Sequence, residues 1–455
     1  MCRKASIYQT PNRLSTDPLS TKSGYSNTNS IGALFRDHGE EYIRIYKPSI
    51  QQIKLIRAIR VCKTPALGGH VFICKDCGHK HFVYHSCGHS HCMICQSIKR
   101  EQWLDKLSNT LLQVPYIHSV FTLPHQLNGL ARNNESIMYS LILRVAWLTV
   151  KSIMAKYCAT PGMTSILHTF GSDMKYHIHV HALVTFGGLC KASCGDVHTN
   201  QWRFPKFSDK IERYRTICST YKNIFIQEFL LLYHTHKINY HLPIDDILHE
   251  VQKIRWVVHS THPTMNTIVI EKYLARYINR VAISNNRLQY LKDNHKVIIL
   301  YNDYKNQLSG CPAPKAFKEL DPIPAIHQIL EHVLPPHFQK TRKYGLHHHS
   351  FKCTHTIPDA LQRESDTVRT LFQIITQLCK QSAFKCDQCG SDQLYMEIVI
   401  PDNNYIFKFI SSDFLKAPPP MNPDIKPNFQ NNMMQSPGAH AIPIPSHKHF
   451  IHSNA

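Results

Sequence analysis

The stretch "CKTPALGGHVFICKDCGHKHFVYHSCGHSHCMICQ" constrains the chain more than any other segment. Cys74 and Cys77 form one CxxC pair and Cys92 and Cys95 another, with 14 residues between the pairs. Paired thiolates at this spacing reach one tetrahedral Zn²⁺ at about 2.3 Å, and two pairs complete a closed structural site. The expectation is a small module built around zinc rather than around a large apolar core. Cys62, Cys87, His70 and one of His85, His89 or His91 remain, enough for a second ion. Six of the sixteen cysteines fall between Cys62 and Cys95, and the opening "MCRKASIYQTPNRLSTD" has no signal-peptide core. Both facts point to metal rather than to a disulfide framework. Cys386 and Cys389 form a third CxxC, with Cys353 and the run His347, His348, His349 as candidate co-ligands.

Around this module the texture changes several times. Residues 1–30 are rich in Ser, Thr, Asn and Pro and read as a flexible leader. Residues 31–110 open with two helices broken at Pro48, pass through the cysteines and continue into a helix over "QSIKREQWLDKLSNTLLQV". Residues 111–310 alternate apolar strands with amphipathic helices, the pattern of an α+β domain with an antiparallel sheet flanked by helices. Within it "PYIHSVFTLP" reads as a strand, "NNESIMYSLILRVAWLTVKSIMAKYC" as a long helix, and "MTSILHTFG" with "KYHIHVHALVTFGG" as a hairpin. "IRWVVHST" reads as a short strand and "NTIVIEKYLARYINRVA" as a helix. Residues 311–400 form a basic C-terminal region, and 401–455 a mostly disordered tail rich in Pro and Asn.

Charge narrows the function. A surplus of 52 Lys and Arg over 31 Asp and Glu gives a net +21, which attracts polyanions, nucleic acid first. No uninterrupted apolar run reaches the roughly 18 to 20 residues of a membrane helix, so a cytoplasmic, nucleoid-associated protein is expected.

In "YHIHVHALV", His177, His179 and His181 alternate, so on a strand they share one face. A lone histidine on an apolar strand is usually a satisfied core residue; three in alternation favour metal. Adjacent same-face positions lie about 6.6 to 6.8 Å apart and can converge on one ion, whereas the outer pair, about 13 Å apart, cannot. Two histidines and a ligand from another element are therefore expected. Tyr273 and Tyr277, four apart on the expected helix, share a face and are surrounded by Arg276, Arg280 and Arg287. Tyrosines at this spacing are usually packing residues. Beside a metal-bound phosphate they become nucleophiles, because the cation stabilises the developing charge on the phenol oxygen. Attack would give a phosphotyrosine and a free 3′ hydroxyl, an ester that can be rejoined without a nucleotide cofactor.

Taken together, the cysteine stretch, "VFTLPHQLN", "LHTFGSDMKYHIHVHALVTFGG", "WVVHS", "YLARYINRVAISNNRL" and "RKYGL" resemble, in order, the HUH transposases of the IS91 type, over roughly residues 33–395. The resemblance implies an HUH endonuclease palm preceded by a small helical zinc-binding domain. It also implies cleavage of single-stranded DNA through a 5′ phosphotyrosine, with Mg²⁺ or Mn²⁺ at the nuclease site and structural Zn²⁺. Carried over by position, the histidine pair is His179 and His181 and the nucleophiles are Tyr273 and Tyr277. His168, on the partner strand of the hairpin, is preferred over Asp173 as third ligand, and His177 falls outside the motif. Ile178 stands where the family often has proline, and "SCGHSHCMICQ" lacks the family's usual basic residues and proline.

Expected partners are single-stranded and hairpin DNA ends and target DNA. Arg276, Arg280, Arg287, Arg342 and Lys343 are the candidate contacts, set among aromatics suited to base stacking. Two rival readings remain: a rolling-circle replication initiator or relaxase, which the leading zinc module disfavours, and a non-catalytic DNA-binding relic.

Overall fold

The computed structural model describes residues 30–190, 201–239, 244–266 and 282–354 except 305, 309 and 310, with shorter stretches between 358 and 409. The leader up to residue 29, nearly all of the tail, and the segment carrying Tyr273, Arg276, Tyr277 and Arg280 lie outside the described residues.

Helix α1 (Ser30–Tyr46) gives way to α2 (Ile50–Val61) at Pro48. Ser49 starts α2 with a capping box: its Oγ accepts from the Gln52 amide at 3.3 Å, and its own amide donates to Gln52 Oε1 at 3.0 Å. Strands β1 (Gly69–Cys74) and β2 (Lys80–Tyr84) form a hairpin, followed by α3 (Ser97–Ser108). The chain then enters β3 (Tyr116–Thr122), α4 (Asn128–Asn133), the long α5 (Glu135–Ala155), β4 (Ala159–Thr160), β5 (Gly162–Phe170) and β6 (Tyr176–Thr185). Strands β7 (Gly188–Cys190) and β8 (Trp202–Arg203) extend a small sheet from β4, and α6 (Lys210–His234), α7 (Ile244–Lys253) and β9 (Val258–Ser260) follow. Beyond the undescribed segment come β10 (Leu288–Leu291), β11 (Lys296–Asn302), β12 (Lys315–Leu320), α8 (Pro322–Leu330), β13 (Thr341–Gly345), β14 (Leu394–Val399) and β15 (Ile406–Phe409).

The central element is a five-stranded antiparallel sheet in the order β13-β5-β6-β3-β9. Strand alternation sorts its side chains. Ile178, Val180, Ala182 and Val184 of β6 join Met163 and Leu167 of β5 in a core with Leu141, Ile142 and Val145 of α5 and Phe225 and Phe229 of α6. The opposite parity, which includes His118, Ile166, His168, His179, His181 and Leu183, faces away from those helices. Helix α5 is long and apolar enough by length and composition to cross a bilayer, but Arg144 and Lys151 interrupt its apolar run, in line with the expectation, and its apolar stripe is a core face of this layer. The observed architecture is α+β, as expected.

Chain order and spatial order part company after residue 310. Strand β13, assigned above to a separate basic region, is an edge of the central sheet, with Arg342 opposite Ser165 and Gly345 opposite Gly162. Its residues are half-buried, so "TRKYG" carries no apolar alternation that would mark it as a strand. Strand β14 lies against β1 in a four-stranded sheet ordered β15-β14-β1-β2, with Cys74 opposite Leu394. Helices α1 and α2 share a second core with β10, β11 and α8: Ile31, Leu34, Phe35, Leu55 and Ile59 pack with Leu288, Val297, Ile299, Ile326 and Ile329.

Candidate metal centres and DNA-processing site

The hairpin of β5 and β6 places His168 directly opposite His179, and Ile166 opposite His181. His168, His179 and His181 are 2%, 9% and 5% exposed, and each offers a ring nitrogen within 4.8 Å of the others'. Nδ1–H of His179 donates to the His177 carbonyl at 2.9 Å, leaving Nε2 as the lone-pair atom. That Nε2 faces Nε2 of His181 at 3.1 Å. Two imidazole lone pairs aimed at each other require a shared proton or cation, so this donor set fits a divalent ion with open coordination positions. His177 is exposed and stays outside the trio; its carbonyl, rather than its ring, orients His179. Asp173 lies in the hairpin turn, where Oδ1 accepts from the Lys175 amide at 3.3 Å. Ile178, buried in the helix-facing core, accepts from the Leu123 amide through its carbonyl.

A fourth imidazole supports the group. His118 of β3 meets His181 from the other side, Nε2 to Nδ1 at 3.0 Å. Burial, reinforced by His259 and His179, pushes His118 down to about 3, so its ring stays neutral and can accept from Nδ1–H of His181. That contact directs Nε2 of His181 towards His179 and His168. The sequence holds the signal for His118, since "PYIHSVFTLP" is a strand whose even positions share one face, but which face meets the histidine hairpin depends on pairing register.

The cysteines form two quartets, paired differently from the expectation of one site from Cys74, Cys77, Cys92 and Cys95. Cys92 and Cys95 join Cys62 and Cys87, and Cys74 and Cys77 join Cys386 and Cys389, with all sulfurs of each quartet within 4.8 Å. The reason lies between the CxxC pairs: the return strand β2 leads the chain back to the end of α2, where the Lys63 amide donates to the His85 carbonyl at 3.0 Å. Cys87 therefore arrives beside Cys62, its amide 3.5 Å from that Sγ, while Cys74 and Cys77 remain at the far end of the hairpin. Hydrogen bonding from Cys62 first holds Cys95 well below the usual thiol range, and hydrogen bonding with Cys62 first drives Cys92 well above it. Four thiols this close share protons unevenly unless a cation lies among them. His70 belongs to neither quartet: its Nε2 lies 3.2 Å from that of His85. His91 accepts from the Leu334 amide at 3.4 Å, and His347 is buried against Thr164 Oγ1 at 2.9 Å. The side chain of Cys353 lies outside the described residues.

Of the expected DNA contacts, Arg287 donates through Nε to the Leu300 carbonyl at 2.9 Å and through Nη2 to the Ser172 carbonyl, tying the hairpin turn to β11. Arg342 donates to Ser140 Oγ at 2.9 Å and sits over the Phe338 ring. Lys343 follows it on the half-buried β13. Arg276, Arg280 and both tyrosines lie outside the described residues, in the segment that joins β9, paired with β3, to Ala282, which is buried in the second core with Ile31 and Leu288.

Residues 34–123 match the transposase zinc-binding domain and residues 162–354 match the putative transposase family. A putative transposase, y4qJ, from Sinorhizobium fredii is 31% identical over 330 residues, 69% of this chain and 79% of the relative. The transposase for insertion sequence element IS801 from Pseudomonas savastanoi pv. phaseolicola is 23% identical over 363 residues, 76% of this chain and 83% of the relative. No solved structure matches. A histidine-bearing palm behind a cysteine-rich N-terminal module, matched over both parts, makes the chain a member of the IS91 family of insertion-sequence transposases.

Proposed function

We propose that the chain nicks one DNA strand at an element end and carries the 5′ side as a tyrosine ester, and that His168, His179 and His181 hold the divalent cation this needs. The observation that supports the reading most is the convergence of three imidazole nitrogens on the hairpin of an antiparallel palm. A bound Mg²⁺ or Mn²⁺ would supply Lewis-acid stabilisation of charge at the scissile phosphate. The phenol oxygen of Tyr273 or Tyr277 attacks phosphorus, a P–O(Tyr) bond forms, and the P–O3′ bond breaks. The phenolic proton leaves to solvent and the released 3′ oxygen gains one. Two tyrosines four positions apart in the sequence can take successive DNA ends. Cys62, Cys87, Cys92 and Cys95 hold structural zinc, which stiffens the N-terminal module against DNA.

The test is direct. Purified protein, single-stranded oligonucleotides of the element ends and Mg²⁺ should yield a covalent protein–DNA adduct. Tyr273→Phe and Tyr277→Phe rank the nucleophiles by which one abolishes it. DNA binding without an adduct on authentic ends would defeat the proposal in favour of a DNA-binding relic.

A further inference from the structure

Residues 74–79 and 386–391 fold alike although they stand far apart in the chain. In each, the glycine after the second cysteine has left-handed backbone, φ +71° at Gly78 and +73° at Gly390. Its amide donates to the first cysteine's carbonyl, at 2.9 Å for Gly78 to Cys74 and 2.8 Å for Gly390 to Cys386. The first cysteine's amide donates to the residue five further on, at 2.9 Å for Cys74 to His79 and 2.7 Å for Cys386 to Ser391. The same tight turn is thus made twice. It points the backbone N–H groups of Cys77 and Asp76 at the sulfur of Cys74, which holds that thiol below its usual range. Such donors stabilise thiolate, the form that binds metal.

The two turns face each other. Cys74 Sγ is 3.5 Å from Cys389 Sγ, across 315 positions of chain, and Cys77 Sγ is 3.5 Å from Cys386 Sγ. Beside them His81 Nδ1 meets Asp387 Oδ2 at 3.2 Å, and β14 continues from the second turn to pair with β1. Four sulfurs from two opposed turns, all within 4.8 Å of one another, make an all-thiolate donor set, which suits tetrahedral Zn²⁺ and excludes the oxygen-seeking Mg²⁺ and Ca²⁺. The matched family segments, 34–123 and 162–354, both end short of residue 386.

We infer that Cys74, Cys77, Cys386 and Cys389 bind a zinc ion of their own, distinct from the Cys62 quartet, which clasps the C-terminal segment to the N-terminal module. The ion ties β14 to β1, so the four-stranded sheet exists only while both turns share it. This reading is independent of the nuclease reaction.

Metal analysis of the full-length chain tests it. After a chelator rinse that strips weakly held ions, native mass spectrometry of the wild type should show two zinc ions, and the Cys386→Ser/Cys389→Ser double variant one fewer. Replacing zinc by Co²⁺ should give the thiolate-to-cobalt absorption of two four-sulfur sites in the wild type. This second measurement needs no variant, so it decides even if the double variant is insoluble. Intensity for a single site, or a mass lighter by the hydrogens lost to two disulfides, overturns the proposal. Limited proteolysis supplies the mechanical readout: a cut between residues 354 and 386 should leave the C-terminal fragment bound until a mercurial displaces the zinc. Release of that fragment with zinc still present overturns the clasp.

Discussion

Replacing His118 by alanine removes the hydrogen-bond partner of Nδ1 of His181 and lets that ring turn, while leaving the three candidate ligands in place. Loss of such an outer partner typically costs about 10- to 100-fold in metal affinity. The expected result is a rise of that size in the Mn²⁺ concentration needed for half-maximal adduct formation, with oligonucleotide binding unchanged and partial recovery in His118→Gln. His179→Ala should abolish the adduct at any Mn²⁺ concentration; persistence of the adduct would remove His179 from the metal site. At this scale the sequence was informative where chemistry follows period two. The alternation of His177, His179 and His181 fixes a shared face, and a hairpin brings His168 alongside. It was uninformative where two distant segments meet. Nothing near Cys74 announces Cys386, because the return strand that separates Cys74 from Cys92 is only visible once β2 is seen to double back.

Strand β13 shows the same limit for an element. It lies on the sheet edge beside β5, and its polar, half-buried residues look like a basic loop in one dimension. Its glycine has a specific duty. Gly345 adopts φ +56°, and a Cβ there would stand 1.9 Å from the Pro161 carbonyl oxygen. Gly345→Ala should therefore destabilise the protein by about 2 kcal/mol or more, combining left-handed strain with displacement of backbone. Hydrogen exchange should localise the loss to β13 and β5; a uniform change, or none, would contradict it. The two N-terminal helices, the palm strands β3, β5 and β6 and the long α5 were legible because each carries strong periodicity or a capping signal. The β10-β11-β12 sheet was not, since its outer strand β12 alternates exposed and half-buried residues that resemble a surface loop.

Across the whole molecule, the zinc module and the C-terminal half share one core, so the module is not a detachable unit. A fragment of residues 30–110 would expose Ile31, Leu34, Phe35, Leu55 and Ile59. It should aggregate or unfold without cooperativity, as calorimetry would show, even in saturating zinc. A buried titratable group sits where this shared core meets the palm. His332 donates through Nε2 to the Met174 carbonyl at 3.0 Å and accepts at Nδ1 from Thr169 Oγ1 at 3.3 Å. Burial pushes it from 6.5 down to about 4. The unfolded chain takes up this proton near pH 6.5 and the folded chain only near 4, so stability is lost as pH falls through that window, by about 3 kcal/mol at most. The unfolding midpoint should drop between pH 7 and pH 5 and drop less in His332→Gln. Synthesis gives the edge strand β13 a further consequence. The ribosome finishes β6 at Thr185 and reaches Gly345 some 160 residues later, about 10 to 30 s at ordinary elongation rates. Throughout that interval the outer edge of β5 has no partner strand, and an early stop codon makes the vacancy permanent. Truncated copies of the gene are thus expected to yield sticky, aggregating chains rather than partly active ones.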